Sequence, residues 1–263
     1  MMRRFRTAVE MTARESARNR TACALALLLP LLFNGLAWLT TSERIVVIQL
    51  ASVSLEPDIE VPARWQAMVF MALIAIGFMS AFFAVTLVQA HGRTNRRLVV
   101  CGYRPAELIL SKLLVLGVSV VGMSLYCLAI ITRFFTPEHP VKVLAGLMLI
   151  GYVYGCYGLL IGALWRRELE STFSVILLTT IDVGWLQQPV FYAEAEHQAF
   201  IRGLPAYWPV QVATVGAFTD HRVMTSTLGA LAYGAILLLA SVAVFWLQVR
   251  RATPATSLVG ETP

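Results

Sequence analysis

The chain has 263 residues, of which 58% are hydrophobic and only 14% charged, with a mean hydropathy of +0.70. That balance leaves too little polar surface for a soluble globule of this length. The net charge of +6 would suit a nucleic-acid binder, but the basic residues gather in alternate gaps between apolar runs, which argues against that class.

The first segment, Arg3 to Arg20, can be drawn as a helix with Phe5, Val9 and Ala13 on one side and arginines around the rest. It reads either as a basic anchor on anionic lipid or as an amphipathic N-terminal interfacial helix turning into the first span, and both readings keep it on the cytoplasmic face. Six apolar runs follow: Thr21 to Thr40, Gln66 to Ala90, Leu113 to Thr132, Val143 to Trp165, Ser171 to Gln187 and Val223 to Val249. About 20 apolar residues at about 1.5 Å rise each cross a ~30 Å hydrocarbon layer. In lipid the backbone must satisfy its own hydrogen bonds, so these runs are helices. The first is read as retained rather than as a cleaved signal. Its basic lead is long, and NGLAWLTTSE carries no A-x-A-like cleavage site. The sequon Asn19-Arg-Thr falls on the predicted inner side and reads as chance.

The longest stretches between spans are Thr41 to Trp65 and Gln188 to Arg222. The second stays partly apolar while Pro189, Pro205 and Pro209 break it into pieces too short to span. Short re-entrant or interfacial helices with Tyr192, Tyr207 and Trp208 at headgroup level satisfy both features. The tail Ala252 to Pro263 is small, polar and proline-punctuated and reads as disordered. The expectation is an all-α membrane protein with one transmembrane domain over residues 1–251 and a disordered tail over 252–263.

Charge placement sets the predicted orientation. Fifteen basic residues fall on one side: Arg3, Arg4, Arg6, Arg14, Arg18, Arg20, Arg93, Arg96, Arg97, Arg104, Lys112, Arg166, Arg167, Arg250 and Arg251. Six fall on the other, namely Arg44, Arg64, Arg133, Lys142, Arg202 and Arg222. The richer side is cytoplasmic by the positive-inside rule, so both termini are expected inside the cell's inner (plasma) membrane.

Within the spans, Gly151, Gly155, Gly158 and Gly162 share one face of the fourth, where small residues let another helix approach closely. Asp182 is the one acidic residue set well inside a span. Such a group is a candidate for the substrate pathway or a gate, and equally for a structural hydrogen bond or an ion pair near the outer end, since Gln187 follows soon after. Cys23, Cys101, Cys127 and Cys156 show no metal-ligand spacing, and none lies in an outer loop, so no disulfide is expected. Gly117 to Gly122 has the spacing of a phosphate loop, but Met123-Ser124 follows where Lys-Ser/Thr would be needed. No G-x-S-x-G or H-E-x-x-H motif occurs, so neither catalysis by the chain itself nor a bound cofactor or metal is expected.

The inner loop HGRTNRRLVVCGYRPAELILSKLL, residues 91 to 114, embeds an apolar strip in basic residues and flows into the third span. By spacing it is either a lipid-facing connection or a docking surface for a soluble partner. Here the chain resembles the permease subunits of ABC transporters of the type-two export family, which include daunorubicin-resistance-like exporters. Arg97, Leu98, Gly102, Arg104, Glu107 and Lys112-Leu113-Leu114 match that family's loop, and LPAYWPVQVA at Leu204 to Ala213 is similar to its outer segment. The resemblance implies a cytoplasmic coupling helix that docks on a separate ATPase subunit through Arg97, Leu98, Gly102, Tyr103, Arg104 and Glu107. The turn at Arg166, Arg167 and Glu168 would form a smaller second contact. It further implies two ATPase chains holding ATP and Mg, and a second permease chain, identical or homologous. The cargo would be hydrophobic or amphiphilic: a drug, lipid or peptide. The rival classes are a stand-alone carrier or channel and an intramembrane enzyme.

Overall fold

The computed structural model describes residues 2–50, 58–89, 105–165, 167–188, 191–192 and 195–251. Helix α1 (Met2–Arg18) stops at Asn19, whose side-chain oxygen accepts the Ala22 N–H at 3.1 Å and so opens α2 (Arg20–Thr40). The sequon asparagine therefore serves as a helix cap. Ala8 and Thr12 of α1 are buried, while Glu10 and Arg14 pair at 2.6 Å on its exposed side. Pro30 interrupts the α2 ladder, and the Asn34 side chain donates to its carbonyl at 2.9 Å.

After α2 the chain forms a hairpin of β1 (Ile45–Gln49) and β2 (Asp58–Pro62), antiparallel with Ile45 opposite Pro62 and Gln49 opposite Asp58. The all-α expectation omitted it. Ile48 and Val61 are buried while Ile45 and Val47 face out, the alternation of a half-covered ribbon. Arg64 closes the base of the hairpin: it donates to the Thr41 carbonyl at 3.0 Å, pairs with Glu43, and lies 4.6 Å over the Trp38 ring.

The remaining helices are α3 (Ala63–Gln89), α4 (Pro105–Phe134), α5 (Pro140–Leu164), α6 (Glu168–Thr179), α7 (Gln198–Arg202), α8 (Tyr207–Phe218) and α9 (Met224–Arg251). Pro140 at the first position of α5 costs no hydrogen bond and pre-sets the helical φ. Helix α6 continues over Thr180–Leu186 as a π-helix. Among the described residues, six helical stretches are long and apolar enough to cross a membrane: Arg20–Thr40, Ala63–Gln89, Ile109–Phe134, Pro140–Leu164, Glu168–Leu186 and Met224–Val244. These match the sequence-predicted spans to within a few residues, except that α4 starts at Pro105 rather than Leu113. The protein is thus mostly helical, with the composition of a membrane protein.

Burial divides the spans into a centre and a surround. The apolar windows of α3 and α5 are 72% and 67% buried, against 22%, 33%, 28% and 17% for those of α2, α4, α6 and α9. Leu73, Ile76 and Val85 of α3 interlock with Leu147, Ile150 and Val153 of α5. Lipid tails are as apolar as leucine, so close packing rather than flight from water must hold such helices together. The α5 glycines provide that closeness. A methyl group added at Gly158 would lie 2.7 Å from the Ala81 Cα, and one at Gly162 would lie 3.2 Å from the Val85 Cα, both on the α3 backbone. Gly151 and Gly155 instead meet side chains of α4, Val120 and Leu116.

Helix α8 packs along α5, and nearly all of its residues are buried. A methyl at Gly146 would sit 2.6 Å from the Ala213 nitrogen. The His139 and Glu138 N–H groups donate to the Gly216 and Ala217 carbonyls at 3.0 and 3.2 Å, so the start of α5 satisfies the open end of α8. Tyr192 and Tyr207, expected at headgroup level, pack within the chain. They are 2% and 3% exposed and lie against Ile201.

Candidate functional site

The π-helical stretch places Asp182 at the centre of the polar contacts inside the spans. With one extra residue per turn, the Gln187 N–H reaches back five residues to the Asp182 carbonyl at 3.1 Å. The same glutamine's side chain donates to Asp182 Oδ1 at 3.3 Å and to the Ile201 carbonyl at 3.2 Å. Asp182 Oδ2 accepts the Tyr154 hydroxyl at 2.5 Å and the Ala206 N–H at 3.1 Å. The carboxylate is 6% exposed and acts only as an acceptor, which suits its chemistry.

Four elements therefore meet at one side chain: α5 through Tyr154, the π segment through Asp182 and Gln187, the stretch after α7 through Ala206, and α8, which Ala206 caps. The positive end of α8 points at the carboxylate, so the helix dipole and the hydrogen bonds act in the same direction. Tyr157 of α5 and Tyr233 of α9 lie within electrostatic reach of it. Chemically the arrangement is a latch that holds the α8 segment into the span layer, with a carboxylate as its hook.

Sequence reasoning singled out Asp182 and its neighbour Gln187 but missed Tyr154 and Ala206. Tyr154 sits in a tyrosine-rich run, YVYGCY, where the signal for a carboxylate partner was present but not specific.

The expected coupling contacts are only partly within view. Arg97, Leu98, Gly102, Tyr103, Arg104 and Arg166 lie outside the described residues, and Glu107 falls in the first turn of α4. Arg167 precedes α6 in extended conformation and pairs with Glu170 at 3.6 Å. Arg167, Glu168 and Leu169 are exposed, Leu169 at 81%. The Gln89 side chain donates to the Trp165 carbonyl at 3.0 Å and to the Ser171 hydroxyl at 2.5 Å. The α5–α6 turn is thereby fastened to the end of α3, where the 90–104 stretch departs.

At the opposite end of the spans, the exposed carboxylate of Asp220 accepts from His139 at 2.6 Å and faces Lys142 at 3.5 Å. These partners, His139 first, hold its carboxyl below the ordinary carboxylate value. Among the described residues no group of His, Cys, Asp and Glu could hold a metal ion. No protein-family model and no curated protein matches this chain.

Proposed function

We propose that this chain is the permease subunit of an ATP-driven exporter of the type-two ABC class, moving a hydrophobic or amphiphilic cargo outward between two permease chains. The observation that carries this reading is the α8 segment, anchored at Asp182 of the fifth span and leading into the sixth. It gives a six-span body its most specific shape, in the position where the resembling family carries its proline- and aromatic-rich outer segment. The positive-inside split supports an orientation with α1 and the α5–α6 turn in the cytoplasm and the hairpin outside. The exposed turn at Arg167 and Glu168, tied through Gln89 to the end of α3, supports a docking face for a separate ATPase. The peripheral spans keep broad apolar surface for lipid and for a second permease chain.

One observation favours a different reading. A fifth span that widens to π geometry around a buried carboxylate is also the kind of irregular span in which secondary carriers place binding sites. A carrier, however, is expected to bury several ionisable groups around such a site, whereas Asp182 and Lys112 are the only Asp, Glu, Lys, Arg or His side chains buried among the described residues, and they lie on different elements.

The deciding experiment is gentle solubilisation of the tagged chain from its native membrane, followed by identification of copurifying proteins. An ATPase subunit carrying a phosphate loop, together with ATP-dependent transport after reconstitution, is the expected result. An intact chain that copurifies with no ATPase and transports in response to an ion gradient would replace this reading with the carrier.

A further inference from the structure

Helices α1, α2, α3 and α4 border a partly open pocket of about 540 Å³ beside the N-terminal helix. Val9 and Ala13 of α1, Ala26 of α2, Phe83 of α3, and Val118 and Gly122 of α4 are among its lining. Two of its polar side chains are already committed to their own helices. The Ser16 hydroxyl donates to the Thr12 carbonyl at 2.8 Å, and the Ser119 hydroxyl to the Val115 carbonyl at 2.9 Å. Neither hydroxyl's proton is offered to the interior, so the space suits hydrocarbon and not a polar solute.

The rim has the opposite character. Arg18 and Arg20 are exposed and flank Asn19 at the α1–α2 junction, Arg18 directly after the lining residue Ala17 and Arg20 two residues before the lining residue Ala22. Arg6 and Arg14 are exposed further along α1. An apolar pocket beside a junction that carries two exposed arginines matches a molecule with an apolar chain and an anionic head. Its volume falls in the range of about 300–1,000 Å³ typical of small-molecule sites, enough for one acyl chain.

We propose that this cavity is a binding site for one anionic phospholipid, with an acyl chain under α1 and the phosphate held by Arg18 and Arg20. The bound lipid fills the wedge between α1 and the spans and fixes α1 against them. This site is separate from the Asp182 latch and does not depend on the transport reading.

The test uses the full-length chain in phosphatidylcholine vesicles doped with phosphatidylglycerol carrying a photoactivatable group on its acyl chain. Cross-links are expected in peptides containing Ala22–Ala26 and Val118–Met123. A Gly122→Phe variant should project its ring into the pocket, since its Cβ meets nothing within 4 Å, and should reduce those cross-links about tenfold. Gly117→Phe, on the same helix with equally open space but outside the lining, should leave them unchanged. Ala26→Leu serves as a second filling variant if Gly122→Phe is not monodisperse. Arg18→Gln with Arg20→Gln should erase the preference over a matched phosphatidylcholine probe. Equal labelling by the two probes in the unmodified chain, or full labelling in both filling variants, would overturn the proposal.

Discussion

The Tyr154 hydroxyl donates to Asp182 at 2.5 Å, joining the fourth span to the fifth where the fifth widens from α to π geometry. The same oxygen accepts Ala206, so the pair also fixes how deeply the chain before α8 enters the span layer. Replacing either partner should therefore act on the α8 segment as well as on the two spans.

Three substitutions separate structure from charge. Tyr154→Phe removes one donor and is expected to cost about 1 kcal/mol, the scale of a single hydrogen bond in this setting. Asp182→Ala leaves Tyr154 and Ala206 without their acceptor, removes one of the two bonds of the Gln187 amide, and should cost about 3 kcal/mol or more. Asp182→Asn can keep Tyr154 and Ala206 on its oxygen, but its amide meets the Gln187 amide that also serves the Ile201 carbonyl, so one contact is lost. Thermal unfolding in detergent should show Asn and Phe similarly mild and Ala clearly the most damaging. Reduced transport by an assembled Asn variant would point to a required charge in the pathway, whereas normal transport would leave the carboxylate as latch only. A ranking in which Ala is no worse than Phe would refute the latch.

The α5 glycines differ in what they face, and this predicts unequal tolerance. At Gly158 an added methyl meets α3 backbone at 2.7 Å, which cannot yield, so Gly158→Ala should destabilise by about 1–3 kcal/mol. At Gly155 it meets the end of Leu116 at 3.1 Å, which can rotate, so Gly155→Ala should be nearly neutral. Gly35 has open space and serves as control. Equal melting shifts at Gly155 and Gly158 would refute backbone contact as the cause.

Hydropathy made the six spans legible because each is a long apolar run, and length alone excludes a strand. The hairpin escaped because IVVIQ and DIEVP are five-residue pieces whose alternation is too short to stand out beside a membrane segment. The latch escaped for a different reason. Tyr154 and Asp182 are 28 residues apart on two spans, and their meeting depends on a widened turn that no local pattern announces. Tyr207 looked like a headgroup aromatic because its segment is broken by prolines. It is buried within the chain because α8 packs back along α5, a contact between distant segments that the local sequence does not signal.

Orientation is open to direct labelling. In a background lacking Cys23 and Cys101, single cysteines at Val47 in the hairpin and at Glu196 should react with an impermeant maleimide applied to intact cells. One at Leu169, 81% exposed in the α5–α6 turn, should react only after permeabilisation. Labelling of the Leu169 site from outside would invert the topology.

The Asp220 contact predicts an acid-sensitive end. His139, and after it Lys142, lower the Asp220 carboxyl below its ordinary value, so the contact contributes fully above about pH 4 and is lost as pH falls through the lower folded value. The carboxylate is exposed, so added salt should weaken the effect. The His139 and Glu138 amides, bonded to Gly216 and Ala217, report on it through hydrogen exchange corrected for intrinsic rate. Their protection should fall below about pH 4 in the unmodified chain and become independent of acid in Asp220→Asn. The same acid dependence in both chains would remove Asp220 as its source.

Coupling to an ATPase would depend on the inner loop and the α5–α6 turn acting as one surface. Gln89 binds that turn at Trp165 and Ser171, so force applied there should reach α3 directly. Exposed ion pairs contribute only about 0–1 kcal/mol each, so single changes are weak tests. The combined change of Arg104→Ala with Glu107→Ala, and separately Arg167→Ala with Glu168→Ala, removes several polar contacts at once. Tyr103→Ala probes apolar docking. Each variant should insert normally, retain less ATPase on purification and transport more slowly, with the first pair affected most. Gln89→Leu should keep the ATPase bound yet lower transport per ATP hydrolysed, because it cuts the link to α3 and leaves the docking residues in place. Full ATPase retention and full transport in all of these variants would reduce the surface to a basic connection lying on lipid.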